Sequence, residues 1–376
     1  MLTSLIDRAD YPTLREAAYL NQASLGLLGT PAVRAMRDLL EGVVRHGNLH
    51  LSDQDEAGFL DDLRGLAGRL FEVEPSRIAI VASASELLGQ APYLLAPSRG
   101  SRVVAVASEF PAVTRPWLRL AARGGCVVDF VEDEPASDLT DDLVARIDER
   151  TSVVAVGWVQ YGTGTVVDIP RLRAATCAAG ARLVVDATQG AGAMRSDAGS
   201  WEADLVVSSG YKWLGGHGGV AIGALAPDVM ARTPPLPGWM GAASPFAFDA
   251  TRLTMAEDAR RFTQSTMSYL SVVGLTTAMD RLLAAGLGSV QQHAGRLRER
   301  LLEAVRGRGW RPFRQPRGGA APHIVALGHA SVPSTDAVRR LREQGVVCSD
   351  RSGRVRVSLA PYNDEGDVRA LAAALG

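Results

Sequence analysis

Seven short runs of Val, Ile, Leu and Ala punctuate the first two-thirds of the chain: RIAIVAS (77–83), RVVAVAS (102–108), CVVDFVE (126–132), SVVAVGWV (152–159), RLVVDAT (182–188), LVVSSG (205–210) and VAIGAL (220–225). The apolar residues are continuous rather than alternating, the pattern of strands buried on both faces. Helical patterns such as TRPWLRLAARGG (114–125) and DIPRLRAATCAAG (168–180) lie between most of them. Alternating strands and helices imply a mostly parallel sheet sandwiched by helices. VAIGAL follows LVVSSG too closely for a helical crossover, so that pair is expected to be antiparallel. The fold class is α/β, built on a mostly parallel seven-stranded sheet.

After residue 265 the pattern changes. A long helical stretch (about 269–307) precedes short strands, PHIVALG (322–328) and RVRVSLA (354–360), and a closing helix, DEGDVRALAAAL. This predicts a smaller α+β domain. At 376 residues the chain is long enough for two domains. The expected division is a large domain over 16–275 and a small one over 276–376, joined by the N-terminal segment 1–15. The stretches ARTPPLPGW (231–239) and RQPRGGAAP (314–322) read as loops.

Composition narrows the function. The net charge of -1 gives no reason to expect nucleic acid or an anionic membrane as partner. No apolar run reaches the length of a membrane span. The start, MLTSLIDRADYPTLRE, lacks the basic and apolar regions of a signal peptide, so a cytoplasmic location is expected. Cys126, Cys177 and Cys348 lie far apart with no CxxC pair, which argues against a thiolate zinc site, and no metal is expected.

In open α/β sheets the ligand sits beyond the carboxyl ends of the strands. There the chain places SASE (83–86), EFP (109–111), QYGTG (160–164), Asp186 with Gln189, and Ser209 with Lys212. Lys212 is the only lysine; the other 39 of the 40 Lys+Arg residues are arginine. Drift in a GC-rich genome is one explanation. The other is chemical: arginine stays protonated, whereas a primary amine can form a Schiff base with an aldehyde. Pyridoxal phosphate would require a carboxylate beside its pyridine nitrogen, and Asp186 is the candidate, unless it only caps the following turn. Gln189 is placed to meet the ring oxygen, or is a polar turn residue. Its phosphate would require N–H groups at a helix start, where Ser83 to Glu86 also match a capping box. GGHGG after the lysine lacks the order of a phosphate-binding P-loop.

The pair D-x-x-Q (186–189) and S-G-Y-K (209–212) resembles the signature of class V aminotransferases. That family has fold type I and includes cysteine desulfurases, selenocysteine lyases, kynureninases and isopenicillin N epimerase-like enzymes. The resemblance runs nearly the full chain. It implies pyridoxal 5'-phosphate as cofactor, an amino acid as substrate, Lys212 and Asp186 as catalytic residues, and Gln189, Ser209 and Tyr211 as further cofactor contacts. Ala84 and Ser85 fall where members bind phosphate. YLNQASLGLLGTPA (19–32) resembles the opening segment, with Asn21 near the cofactor. RHGNLHLSD (45–53) resembles a segment in which His50 would contact substrate, or else be a surface histidine.

EFPAVTRPW (109–117) resembles E-H-x-A-N-x-x-P-W, with Phe110 in place of the histidine that stacks on the ring; phenyl can stack but cannot move protons. In VQYGTG (159–164), Tyr161 stands where desulfurases have Asn, as in kynureninases. Thr266, in RRFTQSTMSYL (260–270), falls where a threonine reaches the neighbouring subunit's phosphate, which implies a homodimer with shared active sites. RVRVSLAPYN (354–363) matches R-x-S-L-x-x-Y-N, so Arg356 would clamp the substrate α-carboxylate.

The reaction is less legible. Cys348 lies eight residues before Arg356 and aligns poorly with the desulfurase sulfur acceptor, whose loop is shortened here. Elimination at a cysteine S-conjugate comes first, in bacterial specialised metabolism such as lincosamide-like antibiotic pathways. Transamination, decarboxylative deamination, epimerisation, retro-Claisen cleavage and a desulfurase or selenocysteine lyase activity stand as alternatives. A cofactor-fold protein that binds without turnover is the alternative of a different class.

Overall fold

A computed structural model describes residues 2–49, 51–315 and 319–376 of the chain. Strand β1 (Ala18–Tyr19) lies outside the main sheet. The main sheet is built from β2 (Ile78–Val81), β3 (Ser101–Val106), β4 (Cys126–Val131), β5 (Thr151–Gly157), β6 (Arg182–Asp186), β7 (Leu205–Ser209) and β8 (Ala221–Leu225). Their order is β2-β8-β7-β6-β5-β3-β4. Only β8 runs against the others, as its short connection to β7 demands. The apolar runs alternate between two cores, as a pleated strand must. Ile80, Val104, Val154, Leu183 and Val206 pack on one face, and Val81, Val103, Val153, Val184 and Val207 on the other. Six of the seven strands stop before the run that predicted them does, and the chain then turns across the carboxyl ends of the sheet.

The second sheet is antiparallel: β9 (Trp310–Pro312), β10 (Ile324–His329), β12 (Ser349–Arg351) and β13 (Arg354–Ser358), in the order β12-β13-β10-β9. Between them in sequence, β11 (Val346–Val347) pairs in parallel with β1 and ties the N-terminal segment to this half. The stretch 269–307 is not one helix. It breaks at Gly286, whose φ of 81° suits glycine, into Tyr269–Ala285 and Leu287–Ala304, bent by 76°. No single helix among the described residues is long and apolar enough to cross a membrane.

A buried ion pair fastens the two sheets together. Arg314 Nη2 donates to Asp133 Oδ1 at 2.7 Å, with side chains 5% and 1% exposed. Thr163 and Thr165 also donate to Asp133, and Arg314 Nε donates to Thr165 Oγ1 at 2.9 Å. The loop after β5 is thereby held rigidly against the second sheet.

The N-terminal segment braces the other side of the crevice. Gly26 N donates to Tyr211 O at 2.9 Å, and Gln22 Nε2 donates to Lys212 O at 2.8 Å. A Cβ on Gly26 would lie 2.4 Å from that Lys212 oxygen. Gly26→Ala is therefore expected to cost about 1–3 kcal/mol by forcing the two backbones apart, read as a lowered midpoint in urea unfolding.

Candidate active site

The ends of β2, β3, β5, β6 and β7 surround a cavity of about 140 Å³. Nine of the residues singled out from the sequence line it: Ala84, Ser85, Phe110, Tyr161, Asp186, Gln189, Ser209, Tyr211 and Lys212. Asn21, Arg356 and Thr266 do not line it. Thr266 is exposed, and Asn21 keeps a buried Oδ1 without a partner. His50 lies outside the described residues.

Lys212 is 7% exposed. Burial pushes its amine down to about 8; Asp186 opposes this, and Arg356 and Arg351 reinforce it. Its Nζ stands 5.2 Å from the centroid of the Phe110 ring and 5.6 Å from that of Tyr211. Phe110 meets Tyr161 edge to face at 5.5 Å. Two rings thus wall the amine where the family's usual histidine would offer a proton.

Asp186 ends β6, where burial raises its carboxyl above the usual range while hydrogen bonds from Thr188 and the charge of Lys212 pull it back. Thr188 N donates to Oδ1 at 2.9 Å, so the carboxylate also organises its own turn. Gln189 Nε2 donates to Ala23 O at 3.0 Å and its Oε1 accepts from Trp213 Nε1 at 2.8 Å. One amide hydrogen is left for a ligand oxygen.

The helix Ala84–Leu95 starts at the cavity wall. Ser83 Oγ accepts from Glu86 N at 3.1 Å, but the Glu86 carboxylate accepts from Ala82 N at 2.9 Å. The expected reciprocal capping box is therefore only half formed. The N–H groups of Ala84 and Ser85 have no partner within the helix, which makes this an anion site.

Arg356 is 1% exposed. Nη1 donates to Tyr161 O at 2.8 Å and Nη2 donates to Ser24 Oγ, while buried Nε has no partner. Desolvation depresses even this guanidinium, to about 10. Cys348 is 8% exposed, and burial pushes its thiol up to about 12. A thiol in that state is a poor nucleophile. The hairpin that follows it is tight: Ser352 and Gly353 turn at φ 50° and 70° directly between β12 and β13.

Sequence reasoning gave no role to Glu109, Gln22, Ser24 or Arg351. Glu109 lines the cavity and is buried. Its Oε1 accepts from Gly157 N at 2.5 Å and from Gln160 Nε2 at 2.6 Å, and Oε2 from Phe110 N at 3.3 Å. It thereby fixes both the loop that carries Phe110 and the one that carries Tyr161. The sequence signals were its place just beyond the end of β3 and its match to the first residue of the E-H-x-A-N pattern.

Comparison with known proteins agrees with this geometry. The model of the family described as Aminotransferase class-V matches residues 19–371. The chain belongs to the class V aminotransferase family. An uncharacterised aminotransferase of Bacillus subtilis, YcbU, is 26% identical over 360 residues, covering 96% of this chain and 94% of its own. The structure of the cysteine desulfurase CsdA of Escherichia coli superposes with a TM-score of 0.85 at 23% identity, covering 98% of this chain and 96% of its own. A cystine C–S lyase, C-DES, solved with its product cysteine persulfide, superposes with a TM-score of 0.89 at 21% identity, covering 97% and 98%. The chain is a fold type I enzyme that uses pyridoxal phosphate, and the cavity fits that group. A helix start awaits an anion, a buried carboxyl can face a ring nitrogen, and one amine stands between them.

Burial pushes the Glu109 carboxyl up to about 7 from an ordinary 4.5, hydrogen bonds from Gly157 and Gln160 opposing and Asp186 reinforcing. Between those two values the folded state binds the extra proton, so stability falls as pH rises through that window. Glu109→Gln removes this dependence. The difference in unfolding free energy, variant minus wild type, should rise between pH 4.5 and 8 by on the order of 2–3 kcal/mol, measured by urea unfolding of the cofactor-free protein.

Proposed function

We propose that this enzyme eliminates the sulfur substituent of a cysteine S-conjugate, releasing a thiol, pyruvate and ammonia. The observation that carries the proposal is the state of Cys348. A desulfurase that stores sulfur on its own cysteine requires an accessible, ionisable thiol near the cavity. Cys348 is sealed with its thiol at about 12, the turn behind it is tight, and no cysteine lines the cavity. Sulfur must then leave with its substituent. The C–S lyase named among the structural neighbours shows that this fold accommodates such chemistry.

Pyridoxal phosphate, when bound, supplies an electron sink for the bonds at the substrate Cα. Asp186 would keep the ring nitrogen protonated. The N–H groups of Ala84 and Ser85, with Ser209, would hold the phosphate, and Gln189 would donate to the ring oxygen. Arg356 receives the α-carboxylate. Lys212 Nζ, lowered to about 8, is partly deprotonated near neutral pH and takes the Cα proton. The Cβ–S bond breaks with its electron pair going to sulfur, and Lys212 returns a proton to that sulfur. Phe110 takes no part in proton transfer, so Lys212 carries both transfers. Water then converts the three-carbon remainder to pyruvate and ammonia.

The active enzyme is proposed to be a homodimer, with Thr266 completing the partner's phosphate site. Exposed Trp239, Phe248 and Leu253, on the segment leading to Thr266, support a covered face there. The lysine-poor composition supports a place in the specialised metabolism of a GC-rich bacterium.

Assay of S-alkyl cysteines by pyruvate, ammonia and thiol release tests the reading. Lys212→Arg should lose at least about a hundredfold in kcat. Cys348→Ala should keep kcat/KM within about twofold, as expected for a residue that only packs. Loss of turnover in Cys348→Ala would instead indicate a desulfurase. Conversion of the cofactor to its amine form without pyruvate would indicate transamination.

A further inference from the structure

Arg356 does not stand alone. Arg351 Nη2 donates to the same Ser24 Oγ that Arg356 Nη2 holds, at 3.3 Å for Arg351. Both arginines act on the Lys212 amine, and Arg351 is also a charge felt by Arg356. The register explains the pairing. Ser349 opposes Arg356 and Arg351 opposes Arg354 across β12 and β13. Directly opposed residues share a face, as do residues two apart on a strand, so Arg351 and Arg356 project from one face as diagonal neighbours. The hairpin that carries Arg351 packs against the loop of the cavity residue Tyr161: a Cβ on Gly162 would lie 3.4 Å from Ser352 Oγ.

Two guanidiniums bridged by one neutral hydroxyl repel each other. Among the described residues neither has a carboxylate within ion-pairing distance. Arg351 spends its other hydrogen bond on its neighbour, Asp350 O, and Arg356 keeps a buried Nε with no partner. Arg356 is buried and Arg351 half-buried, and like charges so placed are costly unless an anion joins them. Of the other three buried arginines, Arg64 meets Asp61 and Arg314 meets Asp133, while Arg298 donates to the Arg314 carbonyl. The arrangement at Ser24 is therefore built for visiting anions, and one α-carboxylate satisfies only one of the two forks.

We propose that Arg351 forms a second anion subsite, and that the substrate is a cysteine S-conjugate whose sulfur substituent ends in a carboxylate. Arg356 takes the α-carboxylate, Arg351 takes the distal one, and Ser24 holds the two forks apart. The substituent is short, because the forks share one hydroxyl. This substrate class rests on the lyase reading above, whereas the subsite itself rests only on Arg351.

The experiment compares S-(2-carboxyethyl)cysteine with its carbamoyl counterpart, the same shape without the charge. Dissociation constants are measured on the holoenzyme by calorimetry, and pyruvate is assayed separately. Wild type should bind the acid at least about tenfold more tightly than the amide, the value of one charge-assisted hydrogen-bond pair. Arg351→Gln should bring that ratio to within about twofold by weakening the acid alone, and Arg351→Lys should keep part of it, since the point charge survives without the fork. A wild-type ratio near one overturns the subsite. So does equal weakening of both ligands in Arg351→Gln, which would make the two arginines a joint clamp on the α-carboxylate. Selective binding without pyruvate upholds the subsite and rejects the lyase.

Discussion

The enclosure of the Lys212 amine is the constraint on which the rest of the structure depends. A cation in an apolar enclosure is unstable, and the protein answers by lowering its proton affinity rather than by pairing it closely. Asp186 offers a compensating charge that only partly offsets the burial. Phe110 and Tyr211 supply polarisable walls. The backbone at Lys212 cannot drift, because Gln22 and Gly26 grip the carbonyls of Lys212 and Tyr211 from the N-terminal segment. Gln22 is itself held by the Tyr362 hydroxyl at 2.6 Å, so both ends of the chain position the one lysine.

The site is assembled from loops, yet little of it is free to move. Glu109 ties the Phe110 loop to Gln160, Thr188 Oγ1 accepts from Ser209 N, and the Asp133–Arg314 pair anchors the residues after Tyr161. Each link joins the end of one strand to a neighbour or to the second sheet. Preorganisation of this kind places proton donors and charges before a ligand arrives, so less reorganisation is needed during reaction.

Electrostatics divides the crevice. One end carries a helix start and hydroxyls suited to a phosphate. Behind Tyr161 lie two arginines, Arg351 and Arg356, without carboxylate partners among the described residues. Between them the acids Asp186 and Glu109 are both pushed up by burial. A doubly anionic cofactor and an acidic substrate would complete this distribution. The tight hairpin after Cys348 is the element that sets Arg351 beside Arg356.

Much of this was legible in the chain itself. Continuous Val/Ile runs can be stable only when covered on both faces, so the parallel sheet and its single reversed strand followed from pattern and spacing. The lone lysine among arginines, with an acid at the end of another strand, marked the chemistry because no other side chain can replace a primary amine. What local pattern could not reach was anything set by residues distant in sequence. Ser24 meets Arg351 and Arg356 because β1 pairs with β11 and Leu20 and Ala23 bond to Ser358, and Gln22 reaches Lys212 across half of the chain. The break at Gly286 and the burial of Cys348 likewise depend on what packs around them. Residue identity determined the cofactor and its lysine; tertiary packing decided which charges stay unpaired, because burial and partner distance are properties of the assembled fold.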